Sequence, residues 1–70
     1  MCLATVFIVN DGTEVKAMDK VKQINNKGTD PFEVQCIDLF GQTLNFRGVI
    51  QRIDLVNNNV FIHENKKEHL

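Results

Sequence analysis

The sequence predicts an all-β protein, a small antiparallel barrel of about six short strands. β-branched and aromatic residues gather in short runs at fairly even spacing, and Gly, Asn and Asp lie between those runs. The length of 70 residues allows one small domain with a marginal core. Domains of this size usually need additional stabilisation from a disulfide, a metal or a partner subunit. A partner subunit is the simplest of these here, so we expect a homodimer.

The first half of the chain predicts a hairpin followed by a segment of mixed character. The run Cys2 to Val9 is apolar on both faces, as expected for a strand in the middle of a small barrel. The pair Asp11-Gly12 predicts a hairpin turn, and a second strand follows from about Glu14 to Met18. Residues 19–24 fit one helical turn or a short strand equally well, and residues 25–31 predict a loop rich in Asn, Gly, Asp and Pro.

The third predicted strand alternates well. Phe32, Val34 and Cys36 face one side of it, so Cys36 is expected in the core. Gly41 with Gln42 then predicts a turn in which the glycine takes a positive φ.

The rest of the chain predicts two or three more strands and a tail. Residues 43–56 have Gly48 in the middle and predict one long strand bent at the glycine, or two strands meeting at a bulge. Residues 57–59 are a hairpin turn of three asparagines, and residues 60–64 are the closing strand. The pattern fits a barrel of the SH3-like or OB-like kind over residues 1–64, followed by a polar tail over residues 65–70.

Composition excludes several classes of function. The chain has no serine, which excludes a serine nucleophile, and it lacks the Cys and His spacings of ordinary zinc motifs. Lys and Arg number eight against nine Asp and Glu, a net charge of −1, so we expect no nucleic-acid partner. The phenylalanines are also expected to face mostly inward. With no secretory signal and no apolar run near membrane-span length, we expect a soluble, cytoplasmic protein with reduced thiols and no membrane contact. Because no catalytic constellation is evident, we expect a non-enzymatic protein.

Cys2 is the candidate functional residue. The first residue of a domain is a poor place to build a core, because chain ends fray. Removal of Met1, the usual processing ahead of a small residue, leaves an α-amine and a thiol on adjacent carbons, which can chelate one metal ion. Such donors favour late divalent ions, and square-planar N/S coordination suits Ni²⁺. Two protomers whose amino ends meet at a two-fold axis would supply four donors. The alternative is that Cys2 packs as a small hydrophobe, and the residues alone leave both open.

The remaining candidates have simpler interpretations. His63 is expected to be partly buried on the closing strand, and His69 to be exposed in the tail; either could add a ligand. Asp38 and Asp54 each precede a turn residue by three positions, so turn-stabilising hydrogen bonds are favoured over paired acid/base chemistry.

The chain resembles the CooT family of small proteins. The resemblance is carried by Met1-Cys2, by the run "DLFG" at residues 38–41 and by "RIDLVNNNV" at residues 52–60, and it extends from Met1 to about Glu64. It implies a compact SH3-like barrel that dimerises and binds nickel(II) through Cys2. The named member is an accessory protein for nickel delivery to carbon monoxide dehydrogenase, and many relatives are described as predicted RNA-binding proteins.

The sequence departs from this pattern in having a second cysteine, Cys36, and a polar tail with His69. These departures leave open whether other ligands compete with Cys2 for the ion. Another nickel enzyme as the recipient, or nickel storage, also stays open. Two other functions also stay open from the sequence: a small RNA-binding barrel, and a metal-independent protein interaction module.

Overall fold

The protein is a five-stranded β-barrel. The structure is a computed structural model that describes residues 2–29 and 32–65. The strands form one closed ring in chain order, and the described residues contain no helix. The strands are β1 (Ala4–Asn10), β2 (Thr13–Thr29), β3 (Phe32–Asp38), β4 (Thr43–Asp54) and β5 (Asn59–Glu64). The predicted all-β class and small barrel are confirmed.

One parallel pair of strands closes the ring. Each strand is antiparallel to the next along the chain, but β1 and β5 run in the same direction. Their register places Thr5 opposite Asn59 and Val9 opposite His63. The segments that precede β1 and β5 therefore lie at the same end of this pair.

β2 differs most from the prediction, because it is a single strand of 17 residues. The predicted strand, the ambiguous segment and most of the predicted loop are continuous, which reduces the expected six strands to five. Val21 explains the continuity, because it pairs with β1 at Ala4 and with β3 at Asp38. A positive φ of 52° at Lys20 lets the strand bend between its two partners. Asp30 and Pro31, the end of the predicted loop, lie outside the described residues.

The tight turns follow the prediction. Asp11 and Gly12 have positive φ values of 51° and 80°, which is the pattern of a type I′ hairpin. Gly41 has a φ of 86°, as expected. The last turn comprises residues 55–58, so it begins two residues before the predicted one.

β4 is one bent strand, which settles the choice left open by the sequence. Its pairing with β5 shifts register between Ile50 and Arg52, the mark of a bulge. Gly48 lies so close to β5 that a Cβ atom there would collide with the backbone oxygen of His63. The glycine is therefore required by the contact between the two strands.

The core contains seven buried side chains from β1, β2, β3 and β5, against which residues of β4 pack. They are Val6, Met18, Val21, Val34, Cys36, Val60 and Ile62. The prediction that the phenylalanines mostly face inward is confirmed in part. Phe46 packs against this core, and Phe61 is buried beside the half-buried Phe7, with 5.1 Å between the two ring centroids. Phe32 and Phe40 are exposed.

Within the described ranges, no helix is long and apolar enough to cross a membrane.

Candidate metal centre

Cys2 lies outside the barrel core. It is the first described residue, its side chain is exposed, and β1 begins two residues later at Ala4. Leu3 between them is half-buried. Of the two interpretations that the sequence left open, packing as a buried hydrophobe is therefore wrong for this cysteine. Its thiol is accessible to an ion from solution.

The start of β1 is held on both sides. The Thr5 N–H donates a hydrogen bond of 2.9 Å to the carbonyl oxygen of Asn58, in the turn before β5. On the other side, Ala4 pairs with Val21 of β2. Cys2 precedes these anchored residues by only two or three positions, so its range of movement is restricted.

Asp19 adds a side-chain anchor at the same place. Its Oδ1 atom accepts hydrogen bonds from the Thr5 hydroxyl at 2.9 Å and from the Lys20 N–H at 3.0 Å. Its Oδ2 atom lies 3.7 Å from Lys16 Nζ. The Thr5 hydroxyl is the main reason that the pKa of Asp19 is lowered, followed by the Lys20 N–H. Both oxygens of this carboxylate are engaged within the protein.

Cys36 is a core residue, as predicted. Its side chain is fully buried among Val34, Val6 and their neighbours. Burial raises the pKa of the Cys36 thiol to about 11, because the charged thiolate would lose its hydration. The thiolate is the form that binds metals, so Cys36 does not contribute a ligand in the folded protein.

His63 is exposed on β5, and the prediction of a partly buried side chain is wrong. It lies on the outward face of the strand, between its neighbours Val9 and Val49. Cys2 is seven residues before Val9, and at roughly 3.3 Å per residue of extended chain this separates Cys2 and His63 by about 20 Å. The two side chains of one protomer do not meet. His69 lies outside the described residues.

Asp38 and Asp54 stabilise turns, as predicted. Asp38 accepts hydrogen bonds from the N–H groups of Phe40 and Gln42 at 2.9 and 2.8 Å. Asp54 accepts from Nδ2 and the N–H of Asn57, at 2.9 and 3.1 Å, and from the Val56 N–H at 3.1 Å. The Asn57 side chain is the largest cause of the lowered pKa of Asp54. Neither carboxylate is placed for acid/base catalysis.

The chain start therefore offers a small set of donors. Among residues 2–29 and 32–65, no three His, Cys, Asp or Glu side chains come together as a metal-binding group. The side-chain donor that one protomer offers at this place is the Cys2 thiol. The α-amine of the same residue would be a second donor in a chain without Met1.

The anchoring of the chain start was not foreseen from the sequence. Thr5, Asp19 and Asn58 come from distant parts of the chain, and their contacts depend on the barrel closing between β1 and β5. The only local signal is the run of three asparagines at residues 57–59, which predicted a turn but not its bond to β1.

The fold and the site together define a class of protein: a small all-β barrel with an accessible thiol at its chain start. The family model of the CO dehydrogenase accessory protein CooT matches residues 1–63. The chain belongs to this family of accessory proteins.

A solved structure has the same fold. The crystal structure of a candidate CooT protein from Carboxydothermus hydrogenoformans matches with a TM-score of 0.80 and 23% sequence identity. The match covers 93% of this chain and all of the other. At this identity the likeness concerns the fold alone. No curated protein matches the chain.

Proposed function

We propose that the protein is a non-enzymatic, dimeric nickel(II)-binding accessory protein, with the ion held by Cys2 of both protomers. The recipient of the ion would be a nickel enzyme such as carbon monoxide dehydrogenase, or the protein would store nickel. One observation carries the proposal: in a chain of the CooT family, Cys2 lies exposed at an anchored chain start, while the other cysteine is buried.

The donor chemistry suits nickel. The α-amine and the thiolate of Cys2 are on adjacent carbons, so an ion bound by both closes a five-membered ring at little extra ordering cost. Both donors favour late divalent ions, and affinity rises towards nickel and copper. One protomer supplies two donors and a square plane needs four, so a second copy related by a two-fold axis completes the set.

The surroundings of Cys2 support binding and release rather than permanent burial of the ion. The thiol is exposed, and the carboxylate of Asp19 nearby is already engaged by Thr5 and Lys20. A cargo ion held by few, accessible donors can be passed to a recipient by exchange of ligands. We propose that this happens in the cytoplasm, where thiols stay reduced.

The test is replacement of Cys2. Native mass spectrometry of the wild type with Ni²⁺ is expected to show one ion per two chains and chains that lack Met1. Cys2→Ser is expected to abolish nickel binding and the thiolate-to-nickel absorption band while the fold is kept, because the residue is exposed. Cys36→Ala is the matched control and is expected to keep both signals.

Acid should weaken nickel binding in the wild type, because protons compete for the thiolate and the amine. Tight binding by the Cys2→Ser variant, or a wild type that retains Met1 and still binds one ion per dimer, would contradict the proposed ligand set.

A further inference from the structure

The strand β2 contains a bulge opposite the start of β1. The pairing of the two strands shifts register around Thr5, so two residues of β2, Asp19 and Lys20, face this single residue of β1. A bulge of this kind bends its own strand and changes the direction of the chain around it. Cys2 is three residues before Thr5, so the bulge lies at the part of the barrel from which the chain start extends.

The bulge holds Lys20 in a conformation that is unfavourable for a residue with a Cβ atom. Its φ is 52°, in the left-handed region that favours glycine. Such a conformation persists only where the surrounding contacts fix it. Here the Lys20 N–H donates to Asp19 Oδ1 at 3.0 Å, and the Lys20 carbonyl oxygen accepts from the Leu39 N–H at 2.8 Å. Both backbone polar groups of the strained residue are therefore engaged.

The carboxylate of Asp19 connects this bulge to β1. The Oδ1 atom that accepts from Lys20 also accepts from the Thr5 hydroxyl, at 2.9 Å. On the other side, Thr5 donates its N–H to the carbonyl oxygen of Asn58, also at 2.9 Å. Thr5 is thus held by β2 through its side chain and by the turn before β5 through its backbone. Without the carboxylate, the Thr5 hydroxyl and the Lys20 N–H would lose their shared acceptor.

We infer that Asp19 is a positioning residue for the metal site: through Thr5 it fixes the direction in which the chain start leaves the barrel, and with it the placement of the Cys2 donors. The inference rests on the proposed function and adds a residue that sets the affinity for nickel. Asp19 acts here without binding the ion, because Oδ1 accepts two hydrogen bonds and Oδ2 lies 3.7 Å from Lys16 Nζ. An ion held by few donors is bound more tightly when those donors are ordered in advance.

The test is the affinity for Ni²⁺, measured by competition with a coloured chelator on variants whose fold is verified by circular dichroism. Asp19→Ala and Thr5→Val each remove the hydrogen bond between the two side chains. Each is expected to weaken nickel binding about tenfold, the lower end of the range for residues that support metal ligands without touching the metal. The thiolate-to-nickel absorption band is expected to stay at the same wavelength, because the Cys2 donors are unchanged.

Two conservative variants separate positioning from the negative charge of Asp19. Thr5→Ser keeps a hydroxyl at this place. Asp19→Asn removes the charge but keeps an oxygen that can accept both hydrogen bonds. Both variants are expected to bind nickel nearly as tightly as the wild type.

Glu14→Ala is the matched control. Glu14 is another exposed carboxylate of β2 and pairs with a basic side chain, that of Arg52, at 3.4 Å. It lies opposite Val9, at the other end of β1 from Thr5. This variant loses a comparable surface contact and is expected to keep the nickel affinity of the wild type.

Wild-type affinity in either Asp19→Ala or Thr5→Val overturns the inference. A tenfold loss in Asp19→Asn also overturns it, because the charge of Asp19 rather than its hydrogen bonds would then act on the ion. An equal loss in Glu14→Ala has the same consequence, since the effect would not be specific to the chain start. The proposed function survives these results as long as Cys2→Ser abolishes nickel binding, whereas tight binding by Cys2→Ser overturns both.

Discussion

At the residue scale, the two cysteines have opposite roles because of where the barrel places them. Cys2 is exposed ahead of β1, whereas Cys36 is fully buried on β3. A thiol reacts and binds metals as the thiolate, and burial in an apolar core disfavours that form. The fold therefore leaves the Cys2 thiol accessible to metal ions and reagents in solution and keeps the Cys36 thiol away from them.

Thiol labelling should show this difference directly. In the native wild type one thiol, that of Cys2, is expected to react quickly with a disulfide reagent at neutral pH, and both are expected to react in denaturant. In native Cys2→Ser no fast reaction is expected. Fast labelling of Cys36 in that variant would contradict its placement in the core.

The raised pKa of Cys36 also predicts a pH dependence of stability. The unfolded thiol titrates near its ordinary pKa of 9.0, and the folded one has a pKa of about 11. Between these values the unfolded chain has lost the proton and the folded chain keeps it, so raising the pH favours unfolding. The stability that Cys36 contributes is complete below pH 9.0 and is lost as the pH rises towards about 11.

Urea unfolding of the wild type and of Cys36→Ala at a series of pH values measures this effect. The wild type is expected to be the more stable at neutral pH, because the alanine leaves a cavity, and its advantage is expected to shrink above pH 9. An advantage that stays constant up to pH 11 would show that the Cys36 thiol titrates alike in both states.

At the element scale, β4 depends on a glycine at its closest approach to β5. Gly48 is buried, and a Cβ atom there would meet the backbone oxygen of His63 rather than a side chain that could move away. The sequence indicated a bend at this position, but not which strand lies against it. The partner became known only from the pairing of β4 with β5.

Gly48→Ala is therefore expected to destabilise the protein by about 2 kcal/mol or more, since two backbones must separate. Gly41→Ala is the matched control, because Gly41 has a φ of 86° and open space around it. Gly41→Ala is expected to lower the free energy of unfolding by about 1 kcal/mol, because an alanine there must adopt a positive φ. Urea denaturation measures the free energy of unfolding of both variants. If both lose the same amount, the backbone at Gly48 can move away from β5 without a penalty.

At the scale of the whole molecule, charge and the placement of aromatic residues give opposite indications about nucleic acid. Phe32 and Phe40 are exposed, so the expectation of inward-facing aromatics no longer argues against a stacking surface. The aromatic pair of Phe7 and Phe61 is covered, because the Arg52 guanidinium lies 3.8 Å from the centre of the Phe61 ring. Arg52 also pairs with Glu14, at 3.4 Å.

Because the net charge of the chain is −1, we expect that the protein does not bind RNA. RNA binding is driven largely by the release of counterions from phosphates that Lys and Arg neutralise, and the near-balanced charge of this chain does not favour it. A titration with a short single-stranded RNA at low and moderate salt is expected to show no salt-dependent binding. Binding that falls with salt and is lost in Phe40→Ala would instead establish an RNA-binding surface.

The sequence by itself determined the features that depend on neighbouring residues. The Asp11-Gly12 hairpin, the positive φ of Gly41, the turn role of Asp54 and the exceptional position of Cys2 all follow from local chemistry. The alternation around Cys36 also sufficed to place it in the core. These predictions needed no knowledge of distant strands.

Only the tertiary structure decided the features that join distant residues. Val21 pairs with both Ala4 and Asp38, which makes β2 continuous where local composition predicted a loop. Thr5 lies opposite Asn59, 54 positions away, so the parallel closure of the barrel brings the start of β1 and the turn before β5 to the same end. A strand's partner is chosen by the burial and hydrogen bonding of the whole ring, and no local window of sequence contains that information.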